Sequence, residues 1–308
     1  MISIVCPFYD EQEVIEGFFR RLVPVLEATG EKFEIVCVND GSRDDTLPGL
    51  LAAQESYPGV RIVDLSRNYG KEAALTAGID FTRGDAVIPI DADLQDPPEL
   101  IPRLLERWCE GYEVVLARRG DRPTDGWLKA FTASCFYRFH NRIANPQLPE
   151  NVGDFRLMDR RVVEAVRRLS ERHRFMKGIF AWVGFRTATV EYVREPRPAG
   201  ATKFSGWRLW NFALEGITSF STVPLRVWTY IGLMVAGISF VYGSFIIVRT
   251  LIHGADMPGY ASLFVAITFL GGLQLIGLGV IGEYLGRVYT ESKQRPLYVV
   301  RKIHEGRD

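Results

Sequence analysis

The chain has 308 residues, 47% hydrophobic and 24% charged, a balance that suits a globular part joined to a strongly apolar one. Its 37 basic and 37 acidic side chains cancel, which excludes a net electrostatic pull toward nucleic acid. Four cysteines, Cys6, Cys37, Cys109 and Cys135, stand far apart without CxxC spacing or neighbouring histidine pairs, which argues against a zinc site or a disulfide framework and for a reducing compartment.

A β-type run, Ile2–Cys6, begins almost at once with no basic region before it. It does not read as a secretory signal, so the globular part is expected on the cytoplasmic side. Further apolar, β-rich runs follow at Phe33–Val38, Val60–Leu65, Ala86–Ile90 and Val114–Ala117. Helix-like stretches at Glu11–Ala28, Asp45–Ser56, Lys71–Phe81 and Pro98–Glu110 separate them. Strands alternating with helices of this length predict βαβ units and a mostly parallel sheet, whose ligands bind outside the carboxyl ends of the strands.

Beyond Thr124 the pattern is less regular, with helical stretches near Trp127–Ile143 and Arg160–Leu169, a loop at Asn145–Val152 and a last strand at Thr187–Val193. Arg194–Gly206 holds basic residues, prolines and glycines and reads as a mobile basic loop. Trp207–Phe220 reads as an interfacial amphipathic helix or as a helix packed on the globular domain. Two uncharged runs, Val227–Val248 and Met257–Gly282, would extend roughly 33 and 39 Å as helices, against ~30 Å of bilayer hydrocarbon. The short linker Thr250–Asp256 makes them a hairpin. Arg226 before it, and Arg287, Lys293, Arg295, Arg301 and Lys302 after it, put its open end in the cytoplasm, with Arg249 the one exception. Small residues four apart, Gly232 and Ala236, Ser239 and Gly243, Gly282 and Gly286, allow close helix association and so a homo-oligomer. The expected organisation is a catalytic α/β domain over 1–205, an interfacial region over 206–225, a transmembrane hairpin over 226–289 with spans near 227–249 and 258–283, and a cytoplasmic tail over 290–308.

Three polar clusters fall just after strands. Asp91-Ala92-Asp93-Leu94-Gln95-Asp96 sets two carboxylates one residue apart, and Gln95 adds a neutral oxygen. Hard oxygen ligands suit Mg²⁺ or Mn²⁺, which keep positions open for phosphate oxygens. An acidic turn capping the helix at Pro97–Pro98 is the plainer reading and fits Asp96. For Asp91 and Asp93 it leaves two carboxylates at a buried edge to repel each other without a cation. In Val38-Asn39-Asp40-Gly41-Ser42, Asp40 can accept hydrogen bonds from a base or ribose while Gly41 lets the chain turn closely. A simple Asp-Gly turn before a capped helix fits as well. Pro7-Phe8-Tyr9-Asp10-Glu11 alone indicates a loop and a helix start, but a doubly wound sheet brings all three clusters together.

These motifs, with LSRNYGKEAALTAG (65–78) and DADLQDPPE (91–99), resemble the catalytic domain of glycosyltransferase family 2, which has the GT-A fold. NVGDFRLMDR (151–160), RFMKGIFAWVGF (174–185), REPRPAGATK (194–203) and GVIGEYLGRVY (279–289) extend the resemblance to bactoprenol glucosyltransferases and, more distantly, to dolichol-phosphate mannose synthases. The resemblance implies an inverting, metal-dependent transfer of a hexose, glucose from UDP-glucose, to polyprenyl (undecaprenyl) phosphate by an integral membrane protein of the bacterial inner membrane. Another sugar, such as mannose from GDP-mannose or an aminosugar, is the alternative. It implies that Pro7, Tyr9, Glu11 and Asp40 line the nucleoside pocket, with Lys71 near the donor. Asp91, Asp93 and Gln95 would hold the metal, and Asp154 takes the position of the family's proposed catalytic aspartate. Arg118, Lys129, Arg197 and Lys203 would face the acceptor phosphate, with Thr202 standing where the family's loop has serine. A processive polysaccharide synthase would carry a Gln-x-x-Arg-Trp motif and more spans. A non-catalytic nucleotide-sugar sensor would have lost its metal ligands and phosphate-loop cations, which are present here.

Overall fold

In the computed structural model of the chain, the described residues are 1–120, 151–192 apart from Ser170, His173 and Phe175, 223–253, and 259–306. Those within Met1–Gly216 and Arg295–Asp308 form one compact unit, and those within Ile217–Gln294 form another.

The first unit follows the expected alternation, in the order β1 (Ile2–Phe8), α1 (Ile15–Ala28), β2 (Phe33–Asn39), α2 (Thr46–Ser56), β3 (Val60–Leu65), α3 (Lys71–Asp80), β4 (Ala86–Pro89), α4 (Ile101–Cys109) and β5 (Val114–Arg119). Then come β6 (Val152–Asp159), α5 (Arg160–Arg168), α6 (Met176–Trp182) and β7 (Thr187–Tyr192). A last strand, β8 (Val300–His304), follows the helices of the second unit, α7 (Val223–His253) and α8 (Tyr260–Ser292). The strands form one sheet in the order β7-β5-β6-β4-β1-β2-β3-β8. β3, β2, β1 and β4 are mutually parallel and β5 is parallel to β7, while β6 runs antiparallel to β4 and β5, and β8 antiparallel to β3.

Burial on both faces explains the continuous apolar strands. Ile4, Cys6 and Phe8 of β1 join Phe18, Phe19 and Leu22 of α1 in the larger core. Phe8 and Phe18 meet edge to face at 5.5 Å, as do Phe18 and Phe19 at 5.4 Å. Each fully buried ring contributes roughly 1.5–3 kcal/mol. Val36, Val38, Val63 and Leu65 point to the other face and pack on Ala74 and Ala77 of α3. There Gly78 is needed for close approach, since a Cβ on it would lie 2.3 Å from Val5 Cγ1.

Several boundaries differ from the expected ones for local reasons. α1 starts at Ile15 rather than Glu11 because the preceding segment is drawn into side-chain bonds, Glu11 N–H to Thr46 Oγ1 at 2.9 Å and Gln12 N–H to Asp44 at 3.3 Å. Pro98–Leu100 forms a 3₁₀ turn before α4, and Asp96 does not cap it. Val152 opens strand β6, and only residues 151 and 152 of the expected loop are described. Residues 127–143, 194–206 and 207–220, expected as a helix, a basic loop and an interfacial helix, lie outside the described residues. The tail expected over 290–308 supplies β8, an edge strand of the sheet.

In the second unit the ring of Trp228 on α7 lies 3.7 Å from where a Cβ of Gly277 on α8 would stand. Among the described residues, one segment, Phe269–Ser292, is long and apolar enough to cross a membrane, with mean hydropathy 1.3 and no burial of its apolar window. It continues past the expected end at Gly282, and there Arg287 pairs with Glu283 one turn away at 3.3 Å.

Candidate active site

The parallel strands end on one side of the sheet, and their following loops hold the predicted polar clusters. Because β6 runs antiparallel to its neighbours, its first residues come to that same side, with Val152 opposite Arg118 of β5. Asp154 thereby joins residues that precede it by more than sixty positions. The Lys71 ammonium, at the first turn of α3, contacts Asp91 Oδ1 at 2.6 Å, Asp91 Oδ2 at 2.8 Å and Asp154 Oδ2 at 2.8 Å. One lysine therefore bridges carboxylates from β6 and from the loop after β4.

The electrostatics follow from that bridge. Burial pushes the Asp91 carboxyl up, Lys71 pulls it back and Asp154 raises it again, so it stays above the ordinary value. At Asp154 burial is outweighed by Lys71, Lys177 and Arg156, which hold the carboxyl below its ordinary range. Asp154 is therefore an anion at neutral pH. Its Oδ1 atom is buried with no hydrogen-bond partner, a strong unused acceptor. Glu72, beside Lys71, is pushed up to about 7, first by burial and then by repulsion from Asp154. It accepts from Met176 N–H at 3.2 Å. Arg156, 3% exposed, lies 4.3 Å over the Phe180 ring and donates to the Gly153 carbonyl at 2.7 Å. Burial pulls its pKa down to about 10, so it remains a cation.

The second predicted group is built around Asp40, which is 2% exposed. Its carboxylate accepts from Tyr69 N–H at 2.7 Å and Gly70 N–H at 2.9 Å. Burial pushes its pKa up, with those two bonds and Arg67 working against the rise. Gly41 has φ 63°, and a Cβ there would fall 2.3 Å from the Arg67 carbonyl carbon. The close approach predicted for Gly41 is thus to the chain's own backbone. The loops after β1 and β2 are laced together: Asp10 N–H donates to Ser42 Oγ at 3.1 Å, and Arg43 N–H to Asp10 Oδ1 at 2.8 Å. Tyr9 between them is 37% exposed, with Pro7 and Glu11 half-buried.

Asp93 and Gln95 follow Asp91 in a turn where Leu94 has φ 50° and Asp93 Oδ1 accepts from Gln95 N–H at 3.2 Å. Among the described residues no group of three or more His, Cys, Asp or Glu could hold a metal ion by itself. The donor set still fits a hard cation of the kind that keeps waters and binds through one or two carboxylates plus phosphate oxygens. The Lys71 ammonium lies against both Asp91 oxygens, so positive charge is already accommodated at this position.

Arg118 does not join this group: it pairs with Glu191 at 3.1 Å, both more than half exposed. Its neighbour Arg119 turns inward, since successive strand residues face opposite sides. It reaches the Tyr192 hydroxyl at 3.2 Å and Asp96 at 3.5 Å, and Tyr192 OH donates to the same Asp96 carboxylate. This network anchors the end of the loop that carries Asp91 and Asp93, the role Asp96 has in place of a helix cap. Lys129, Arg197 and Lys203 lie outside the described residues. Glu72, Arg119, Arg156, Lys177 and Tyr192 were not singled out from the sequence. The signal for Arg156 was a charged residue inside an otherwise apolar run.

Residues 3–167 match the model of the family described as "Glycosyl transferase family 2". The chain is 57% identical to an uncharacterized glycosyltransferase of Synechocystis, over 98% of this chain and 95% of that one. It is 56% identical to the SfII prophage-derived bactoprenol glucosyl transferase of Shigella flexneri, over 99% of both chains. It is 55% identical to the prophage bactoprenol glucosyl transferase homolog of Escherichia coli K12, over 98% of this chain and 99% of that one.

Proposed function

The chain belongs to glycosyl transferase family 2 and is a glycosyltransferase, and from that premise we propose that it transfers glucose from UDP-glucose to polyprenyl phosphate, undecaprenyl phosphate in bacteria, with inversion at the anomeric carbon. The full-length similarity to bactoprenol glucosyl transferases supports the acceptor and the sugar. The observation that carries the reading is the meeting of Asp91 and Asp154 on the one ammonium of Lys71. A site for moving a sugar between two phosphate-bearing partners needs such fixed, opposed charges.

In this reading Asp40, with Pro7, Tyr9 and Glu11, receives the nucleoside. Asp91, Asp93 and Gln95 would hold Mg²⁺ or Mn²⁺. That ion, when bound, neutralises charge on the departing diphosphate, an effect worth several kcal/mol. The acceptor is a phosphate monoester with a second pKa near ~6, so it is mostly a dianion at neutral pH and hardly needs a base. Asp154, held ionised by its cationic neighbours, therefore acts by orientation. It fixes Lys71, and with Lys71 it orders the charges around the transfer axis. Lys129, Arg197 and Lys203 serve the acceptor phosphate; Arg197 can do so bidentately. Attack opposite the leaving group inverts the sugar.

The second unit is proposed as a membrane hairpin of spans near 227–249 and 258–283, preceded by an interfacial segment over 206–225, with the catalytic domain (1–205) and the tail (290–308) cytoplasmic. Phe269–Ser292 supports it by length and composition. Anchoring the chain in the bilayer would raise the effective concentration of the lipid phosphate. Small residues along the spans offer faces for a homo-oligomer. The test uses full-length protein in detergent with UDP-glucose labelled in the sugar. Labelled lipid forms, and UDP is released, only when undecaprenyl phosphate is supplied. UDP release at the same rate without lipid, or an unlabelled lipid fraction, overturns the reading.

A further inference from the structure

The carboxy-terminal strand reaches the nucleoside group through two routes. β8 pairs with β3, Lys302 opposite Asp64 and Val300 opposite Leu65, with a register shift between them. Past the shift, the tail engages both backbone polar groups of Ser66. The Ser66 N–H donates to the Val299 carbonyl at 2.9 Å, and the Ser66 carbonyl accepts from Arg301 Nη2 at 2.8 Å. Ser66 opens the segment whose Tyr69 and Gly70 N–H groups hold the Asp40 carboxylate. In the second route, Arg301 Nη1 donates to Asp64 Oδ2 at 3.3 Å, and Asp64 Oδ1 accepts from Asn39 Nδ2 at 2.8 Å. Asn39 directly precedes Asp40, and its own Oδ1 accepts from Ser42 N–H at 3.3 Å. Asn39 and Asp64 are 1% and 2% exposed, so the bond between them is shielded from water.

The Arg301 side chain is 56% exposed while that of its partner Asp64 is 3% exposed and also accepts from Asn39, so the arginine closes over a buried carboxylate rather than forming a surface ion pair. What Arg301 fixes is geometry: two backbone segments that converge on one carboxylate. We propose that β8, through Arg301, is a positioning element for the nucleoside half of the donor site, holding Ser66 and Asn39 so that Asp40 meets the nucleoside in one orientation. The proposal rests on reading Asp40 as a nucleoside contact. It makes the residues that follow α8 part of the donor site's support.

The experiment uses full-length protein in detergent and the variants Arg301→Met, Arg301→Lys and Glu305→Gln. Glu305 also follows β8, but it bonds Arg61 Nε at 2.9 Å at the far end of β3. UDP affinity is read by calorimetry, with kcat and separate KM values for UDP-glucose and lipid, and melting temperature alongside. R301M is expected to weaken UDP binding and raise the donor KM by roughly three- to tenfold, with lipid KM and kcat unchanged. R301K recovers part of the loss, and E305Q leaves UDP affinity unaltered. Unchanged UDP affinity in R301M overturns the proposal, as does an equal loss in R301M and E305Q that tracks melting temperature, which marks a purely structural strand. UDP binding by R301M at wild-type strength leaves the nucleoside reading of Asp40 standing, whereas absence of UDP binding in the wild type removes that reading and the proposal together.

Discussion

Lys71 sets the charge state of its surroundings: its ammonium touches Asp91 and Asp154, and it is next in sequence to Glu72. Burial opposes the lysine charge, but the two carboxylates outweigh it and hold its pKa above the ordinary value. Glu72 experiences the opposite balance and is pushed up to about 7 from an ordinary 4.5. Between those values the unfolded chain has released a proton that the native protein still holds. Stability therefore falls as pH rises through that window and levels off above it. The expected result is a declining denaturation midpoint from about pH 5 to about pH 7 whose slope flattens in Glu72→Gln, the substitution that removes the titration. An identical slope in the variant contradicts the assignment. Asp91, Asp93 and Asp40 stood out in the sequence because acidic residues directly after apolar runs are conspicuous. Glu72, Arg156 and Lys177 did not, since a charged residue near a helix start or within a run reads as solvated until its neighbours are known.

The elements divide along the same line. The strands β1 to β5 were legible because β-branched runs end at glycine, proline and aspartate, the residues that turn a chain. β6 was not, because Gly153, Asp154 and Arg156 interrupt its pattern. Its extended form is imposed by β4 and β5 on either side, and its buried arginine is accommodated by a carbonyl and a ring. β8 (VRKIH) is polar, as edge strands are. Its partner residues lie far off in the chain, Asp64 and Arg301 being 237 positions apart. The loop after β2 shows how tightly an element can constrain one position. Gly41→Ala would place a Cβ against the Arg67 backbone at a φ that side chains rarely adopt. The expected cost is about 2–4 kcal/mol of stability in a denaturation experiment, with weaker UDP binding. A variant as stable as the parent would mean that the two loops do not approach so closely.

At the scale of the whole molecule, the chain joins an α/β catalytic unit to a pair of long apolar helices, and the first unit takes its last strand from beyond those helices. The proposed reaction needs both, since one substrate dissolves in water and the other in the bilayer. The central claim is that Asp154 and Lys71 organise transfer from a nucleotide-bound sugar to a lipid phosphate without themselves binding the nucleoside. The most direct test is Asp154→Asn in full-length protein, with glucosyl transfer from UDP-glucose to undecaprenyl phosphate measured beside UDP affinity. The account predicts a fall in kcat of roughly a hundredfold or more with UDP affinity within about threefold of the parent. Transfer at near-parental rates, or UDP affinity lost in step with activity, would contradict it.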